Sequence, residues 1–146
     1  MDRIDRPRFL IAGGIVSVVI FVLDIWFHGT FAANMYVGYP QRPMVEMVAL
    51  MPFLFVTYIV QLMLFCWMFL RMYPQRGLRS AVWWGLWGGF FIVIPNMQFF
   101  VAVRDTSWSM LGMQVIEGMV LTVITGIVFE LIYRPKSASP ARPSNV

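Results

Sequence analysis

The sequence predicts an all-α integral membrane protein, an up-down bundle of four transmembrane helices with both termini cytoplasmic. Three observations predict it. Of the 146 residues, 60% are hydrophobic and only 12% are charged, whereas about 45–50% apolar is usual in a soluble domain. Four apolar stretches of roughly 20–25 residues, each long enough to cross a hydrocarbon core, use up most of the length. The lysines and arginines gather on one side of those stretches, as cationic flanks are retained on the cytoplasmic side during insertion.

The first span runs from Phe9 to about Phe31, FLIAGGIVSVVIFVLDIWFHGTF. A cleavable signal peptide has an apolar region of about 7–15 residues ending at a small-residue site. This run is longer and flows into Asp24 and His28, so it is expected to stay as a helix. AANMYVGYPQRP follows, a turn-rich outer connection carrying Gly38, Pro40 and Pro43. The second span covers about Met44 to Leu70, and MYPQRGLR then makes a tight basic turn. The third covers about Ala81 to Val103, with VRDTS as a short outer turn at Arg104 and Asp105, and the fourth covers about Trp108 to Tyr133. Short connections make sequential helices antiparallel neighbours. Residues 1–133 are therefore expected to form one domain, and the Pro/Ser-rich 134–146 a disordered cytoplasmic tail. The endings MFLRMYP and FELIYRP hint at a parallel repeat of two hairpins.

Orientation follows from charge. Arg3, Arg6 and Arg8 precede the first span, Arg71, Arg76 and Arg79 flank the second connection, and Arg134, Lys136 and Arg142 follow the fourth span. Only Arg42 and Arg104 fall opposite. Trp67, Tyr73, Trp83, Trp84, Trp87 and Tyr133 lie toward the cytoplasmic interface, and Tyr36, Tyr39 and Trp108 toward the outer one, where amphipathic rings prefer the headgroups. The net charge of +4 is a topology signal facing anionic lipid, and no nucleic-acid partner is implied.

Several chemistries are excluded. One cysteine, Cys66, rules out an internal disulfide, a CxxC pair or an iron–sulfur site within one chain, and one histidine, His28, rules out bis-histidine haem ligation or a multi-histidine metal centre. No phosphate-cradling glycine loop, GxSxG elbow or HExxH is present. No cofactor is assigned. Cys66 reads as an inert buried residue.

The polar residues of the spans concentrate in the outer half. Asp24 lies about seven residues, or ~10 Å, below the outer end of the first span, with His28 one turn above it. Asn96 and Gln98 lie at similar depth in the third span, Gln114 and Glu117 in the fourth, and Glu46 opens the second. Gln61, Ser17, Thr122, Thr125 and the interfacial Glu130 populate the inner half. An aspartate at a helix centre costs roughly 2.5–3.5 kcal/mol on insertion scales, so such groups face the bundle interior or water. Asp24 and His28 at i and i+4, and Gln114 and Glu117 at i and i+3, share faces. Pro52 and Pro95 lie at the same depth and free the carbonyls of Val48 and Phe91, which neighbours or cavity water must satisfy. Two kinks beside a polar cluster point to an outward-facing pocket.

Three uses of that pocket compete. The polar groups are interhelical glue; or Asp24, His28 and Glu117, with Asn96, Gln114 and Glu46 nearby, bind or move a proton, cation or small polar ligand; or one histidine with Asp24, Glu46 and Glu117 holds a catalytic metal. Sequence spacing assigns no metal ligand set beyond the first helix. Elsewhere, Gly85 and Gly89 form a GxxxG, and Gly13 with Ser17 a small-xxx-small pair, each permitting close helix crossing.

The segment FVLDIWFHGTFAANMYVGYPQRPM, Phe21 to Met44, resembles small uncharacterised four-helix bacterial inner-membrane proteins of the domain-of-unknown-function type. In these an acidic residue and a His-Gly or Tyr-Gly close the first helix. The resemblance implies a bacterial inner membrane and no particular activity. Small multidrug exporters also have four helices and a carboxylate in the first, but here that carboxylate lies well past the midpoint and the charge bias is one-sided. The expected function is a non-enzymatic accessory subunit or scaffold of a membrane complex. The alternative is a small transporter or ligand-binding membrane protein, with a metal-dependent enzyme third. Expected partners are the lipid bilayer and either other membrane subunits or further copies of the chain.

Overall fold

The computed structural model describes residues 4–38, 41–73, 77–102 and 107–134, with the side chains of 93, 95–97, 99, 101 and 102 outside the description. Four long helices, α1 (Arg6–Thr30), α2 (Met44–Met72), α3 (Leu78–Ala102) and α4 (Trp108–Tyr133), account for nearly all of it, with a short 3-10 turn over Ala33–Tyr36. No strand occurs among the described residues. Helices α1, α2 and α4 are each long and apolar enough to cross a membrane, which supports a membrane protein.

Local chemistry accounts for the helix ends. α1 begins three residues before Phe9 because Asp5 caps it, its Oδ1 accepting from the Arg8 N–H at 3.2 Å, with a proline in the first turn. Asp5→Ala is expected to remove about 1 kcal/mol of stability, measurable as a lowered unfolding midpoint in detergent. Ser107 caps α4 in the same way through the Met110 N–H at 3.2 Å. Gly38 adopts φ +90° in the connection after α1, a left-handed conformation natural to glycine. α2 continues through Pro52, which is exposed. Arg104, Asp105 and, apart from Arg134, the 134–146 tail lie outside the described residues.

The helices alternate in direction. Phe9 of α1 meets Phe129 of α4 edge-on at 6.0 Å, Phe21 meets Phe55 of α2 at 5.0 Å, and Phe100 of α3 meets Trp108 of α4 at 4.6 Å. α1 packs on both α2 and α4, and α3 packs chiefly on α4. The α3–α4 seam is close because glycines line it. A Cβ on Gly85 would meet the Val123 backbone at 2.5 Å, and Gly89 and Gly126 face Met119 and the Ala81 carbonyl. Gly13 faces the sulfur of Met63 across α1–α2, and the Ser17 hydroxyl bonds within its own helix to the Gly13 carbonyl at 2.8 Å.

The core is not spread evenly. It fills the end where α1 begins and α4 finishes, the terminal end, with Ala12, Val16, Ile20, Leu62, Phe65, Cys66, Phe69, Trp84, Phe129 and Tyr133. Phe69 contacts both Trp84 and Phe129, at 6.5 and 6.3 Å between ring centroids. The Trp84 indole donates to the Phe65 carbonyl at 3.2 Å, satisfying its buried N–H. Arg8 reaches the last turn of α4, donating to the carbonyls of Ile132 and Arg134, where a cation complements the helix dipole. Glu130, three residues before the end of α4, is buried there, 2% exposed.

One consequence differs from the sequence expectation that sequential helices are full neighbours. α2 touches α3 only slightly, through Phe65, Phe69 and Tyr73 against Trp84 and Gly88 at the terminal end. No residue of α2 before Leu62 is buried. Among the described residues, the bundle is thus closed at the terminal end, and α2 and α3 part at the other.

Candidate functional site

That gap leads to a cavity of about 300 Å³, at the lower end of ligand pockets, which span roughly 300–1,000 Å³. Ile20, Asp24 and His28 of α1 line it on one side, Leu54, Thr57, Tyr58 and Gln61 of α2 on a second, and Gln114, Glu117 and Thr122 of α4 on a third, with Ile92 from α3. None of the described lining residues is lysine or arginine.

Helical spacing brings the first two polar groups together. Asp24 and His28, one turn apart, place Oδ1 and Nε2 3.7 Å from each other. The antiparallel approach of α4 adds the third, Glu117 Oε1, 3.4 Å from the same Nε2. All three ligand-capable atoms lie within 4.8 Å of one another. Two carboxylates and one imidazole thus converge from helices separated by almost ninety positions of sequence.

Two tyrosines support them. The turn Ala33–Tyr36 folds back over the end of α1, bringing the Tyr36 hydroxyl 2.7 Å from His28 Nδ1. Burial first, and then the charges of Glu117 and Asp24, hold the Tyr36 phenol above its usual pKa. The hydroxyl and Nδ1 share a hydrogen bond, and Nε2 on the other edge of the ring faces the carboxylates. From α2, the Tyr58 hydroxyl hydrogen-bonds Asp24.

Glu117 is less well served. Its side chain is only 8% exposed, and Oε1 makes no hydrogen bond among the described residues. The threonines below it do not help, because Thr122 and Thr125 each turn their hydroxyl back to a carbonyl of α4 at 2.8 Å. The near polar neighbour of Glu117 Oε1 is His28 Nε2 at 3.4 Å, and a buried acceptor without a full hydrogen bond costs about 1–3 kcal/mol.

The other sequence candidates are placed differently. Gln114 lines the cavity. Glu46 stands apart near the start of α2, exposed and paired with Arg42 at 3.6 Å, so it does not join the cluster. Gln98 is exposed, and the side chains of Asn96 and Pro95 lie outside the described residues. Sequence reasoning took Tyr36 as an interfacial anchor and did not single out Tyr58. The only signal for either was a phenol at the depth of the acids.

No family model, curated protein or solved structure matches the chain, and the functional reading rests on this geometry.

Proposed function

We propose that the chain is a small cation-binding membrane protein, with its pocket open on the side of the membrane away from its termini. The carrying observation is the convergence of Asp24, His28 and Glu117 on a cavity that, among the described residues, holds no lysine or arginine. Two carboxyl groups and a single imidazole at low dielectric form a site whose ionised acids a cationic ligand would stabilise. Simple interhelical glue explains this less well, because glue satisfies its own hydrogen bonds and Glu117 Oε1 is left without one among the described residues. The packed rings of Phe65, Phe69, Trp84 and Phe129 close the terminal end, so the arrangement favours a dead-end binding site or one outward-facing state of a carrier over an open pore.

The arginine-flanked connections support a cytoplasmic terminal end, and the resemblance over Phe21 to Met44 supports a bacterial inner membrane. In this topology the pocket samples the periplasmic side. An unfolding screen of the detergent-solubilised chain against Na⁺, Mg²⁺, Zn²⁺ and tetramethylammonium tests the reading. At 100-fold over its Kd a bound cation adds about 2.7 kcal/mol, and the shift should vanish in Glu117→Gln with helical content retained. If none of the four stabilises the wild type, the accessory-subunit or scaffold role is the better account.

A further inference from the structure

We propose that Asp24, His28 and Glu117 form a binding site for one divalent first-row transition-metal ion, with an open coordination position facing the cavity. The inference rests on the cation-binding reading above and names the class of cation. Separations carry the first part of the argument. Ligand bonds of 2.0–2.2 Å in a tetrahedral site place ligand atoms about 3.3–3.6 Å apart. The two edges measured from His28 Nε2 are 3.4 and 3.7 Å, and the third pair lies within 4.8 Å, a closure that carboxylate rotation can supply.

Donor type selects the ion. Imidazole nitrogen suits Zn²⁺, Fe²⁺, Co²⁺ or Ni²⁺, whereas Ca²⁺ and Mg²⁺ prefer all-oxygen sites with more ligands. Two carboxylates also balance a dication, which a monovalent ion leaves half done. The surroundings resemble those of a metal site as well. A ligating histidine commonly donates its second ring N–H to an oxygen that fixes the ring. With Nε2 on the metal, Nδ1–H would donate to the Tyr36 oxygen at 2.7 Å. Tyr58 secures Asp24. Glu117 Oε1, buried and without a hydrogen-bond partner among the described residues, is the independent mark of a missing ligand. With three protein ligands, a fourth position remains for water or a small molecule from the cavity, the pattern of a site that acts on or carries something rather than merely staples the fold.

The test uses the full chain, purified without a polyhistidine tag, stripped with chelator and dialysed against Zn²⁺ or Co²⁺. Elemental analysis should find one metal per chain, and Co²⁺ should give the intense visible bands of a low-coordinate site. His28→Ala and Glu117→Gln should each weaken binding more than about 100-fold, and Tyr36→Phe roughly 10-fold or more, as expected of a group that supports a ligand. Glu46→Gln, in the exposed pair with Arg42, should bind like the wild type. Circular dichroism and gel filtration confirm folding, and Tyr36→Phe supplies a second readout should a ligand variant misfold. Equal metal retention by all variants would place the ion elsewhere and overturn the proposal. Absence of metal binding, with stabilisation by tetramethylammonium still abolished in Glu117→Gln, would overturn the metal site while leaving a cation pocket. Absence of both would overturn both readings.

Discussion

Gly85→Ala is expected to lower the unfolding midpoint of the detergent-solubilised protein, although alanine is the better helix former. The intrinsic gain from replacing a helical glycine is about 0.5–1 kcal/mol. Against it, the new methyl would meet Val123 Cα at 2.5 Å and the Thr122 carbonyl at 2.8 Å. Both are backbone atoms, so no rotamer change relieves the overlap and α3 must move off α4. Overpacking costs typically about 1–3 kcal/mol and more where backbone is involved, so the clash outweighs the propensity. Gly126→Ala should act alike, because its Cβ would meet the Ala81 carbonyl. Gly112→Ala is the matched control, with nothing within 4 Å of the added carbon, and should be neutral or slightly stabilising. A Gly85→Ala protein as stable as the wild type would mean that α3 and α4 do not approach this closely.

Phe129→Ala should be costlier still. Its ring is 0% exposed and packs between Phe9, Phe69 and Tyr133, stacking on the last at 5.2 Å. Phe→Ala at such a site costs about 3–5 kcal/mol, part transfer and part cavity. Phe53→Ala, on the unburied half of α2 at 70% exposure, removes the same atoms from an exposed position and should change the midpoint little. Similar effects at both positions would show that the core is not concentrated at the terminal end. A contrast between them would support an asymmetric bundle, rigid where the rings seal it and open where α2 and α3 part.

That asymmetry was partly legible in the residues. Polar side chains crowd the half of each span away from the arginine-rich connections, while the aromatic rings that build the seal, Phe65, Phe69, Trp84 and Phe129, lie toward those connections. Depth along a helix is a one-dimensional property, 1.5 Å per residue, so sequence position reports it. Azimuth about the helix is harder. Residues at i and i+4 share a face, and so Asp24 and His28 were paired by spacing, and the structure holds them 3.7 Å apart. Whether Glu46 or Glu117 completes the group depends on how α2 and α4 rotate against α1. Glu46, near the start of α2, forms an exposed pair with Arg42, and Glu117, well inside α4, is buried beside His28.

Gly85 and Gly89 announced a close crossing through their i, i+4 spacing, but not the partner. Gly126, facing Ala81 from the opposite wall of the seam, was not singled out, although Gly118, Thr122 and Gly126 repeat the small-xxx-small spacing. Tyr36 was hidden. Its sequence context is that of an interfacial aromatic, and only the turn Ala33–Tyr36 carries its hydroxyl back to His28.

By itself, the sequence determined the all-helical class, the apolar lengths and the depth at which Asp24, His28 and Glu117 occur, because hydropathy and helical rise are local quantities. The tertiary structure alone decided that α3 leans on α4 rather than along α2, that the separation leaves a cavity, and that Glu117, Tyr36 and Tyr58 meet around one aspartate–histidine pair. Those outcomes depend on helix rotation and on backbone approach across glycine seams, which are set by packing among distant residues and leave no periodicity in the chain.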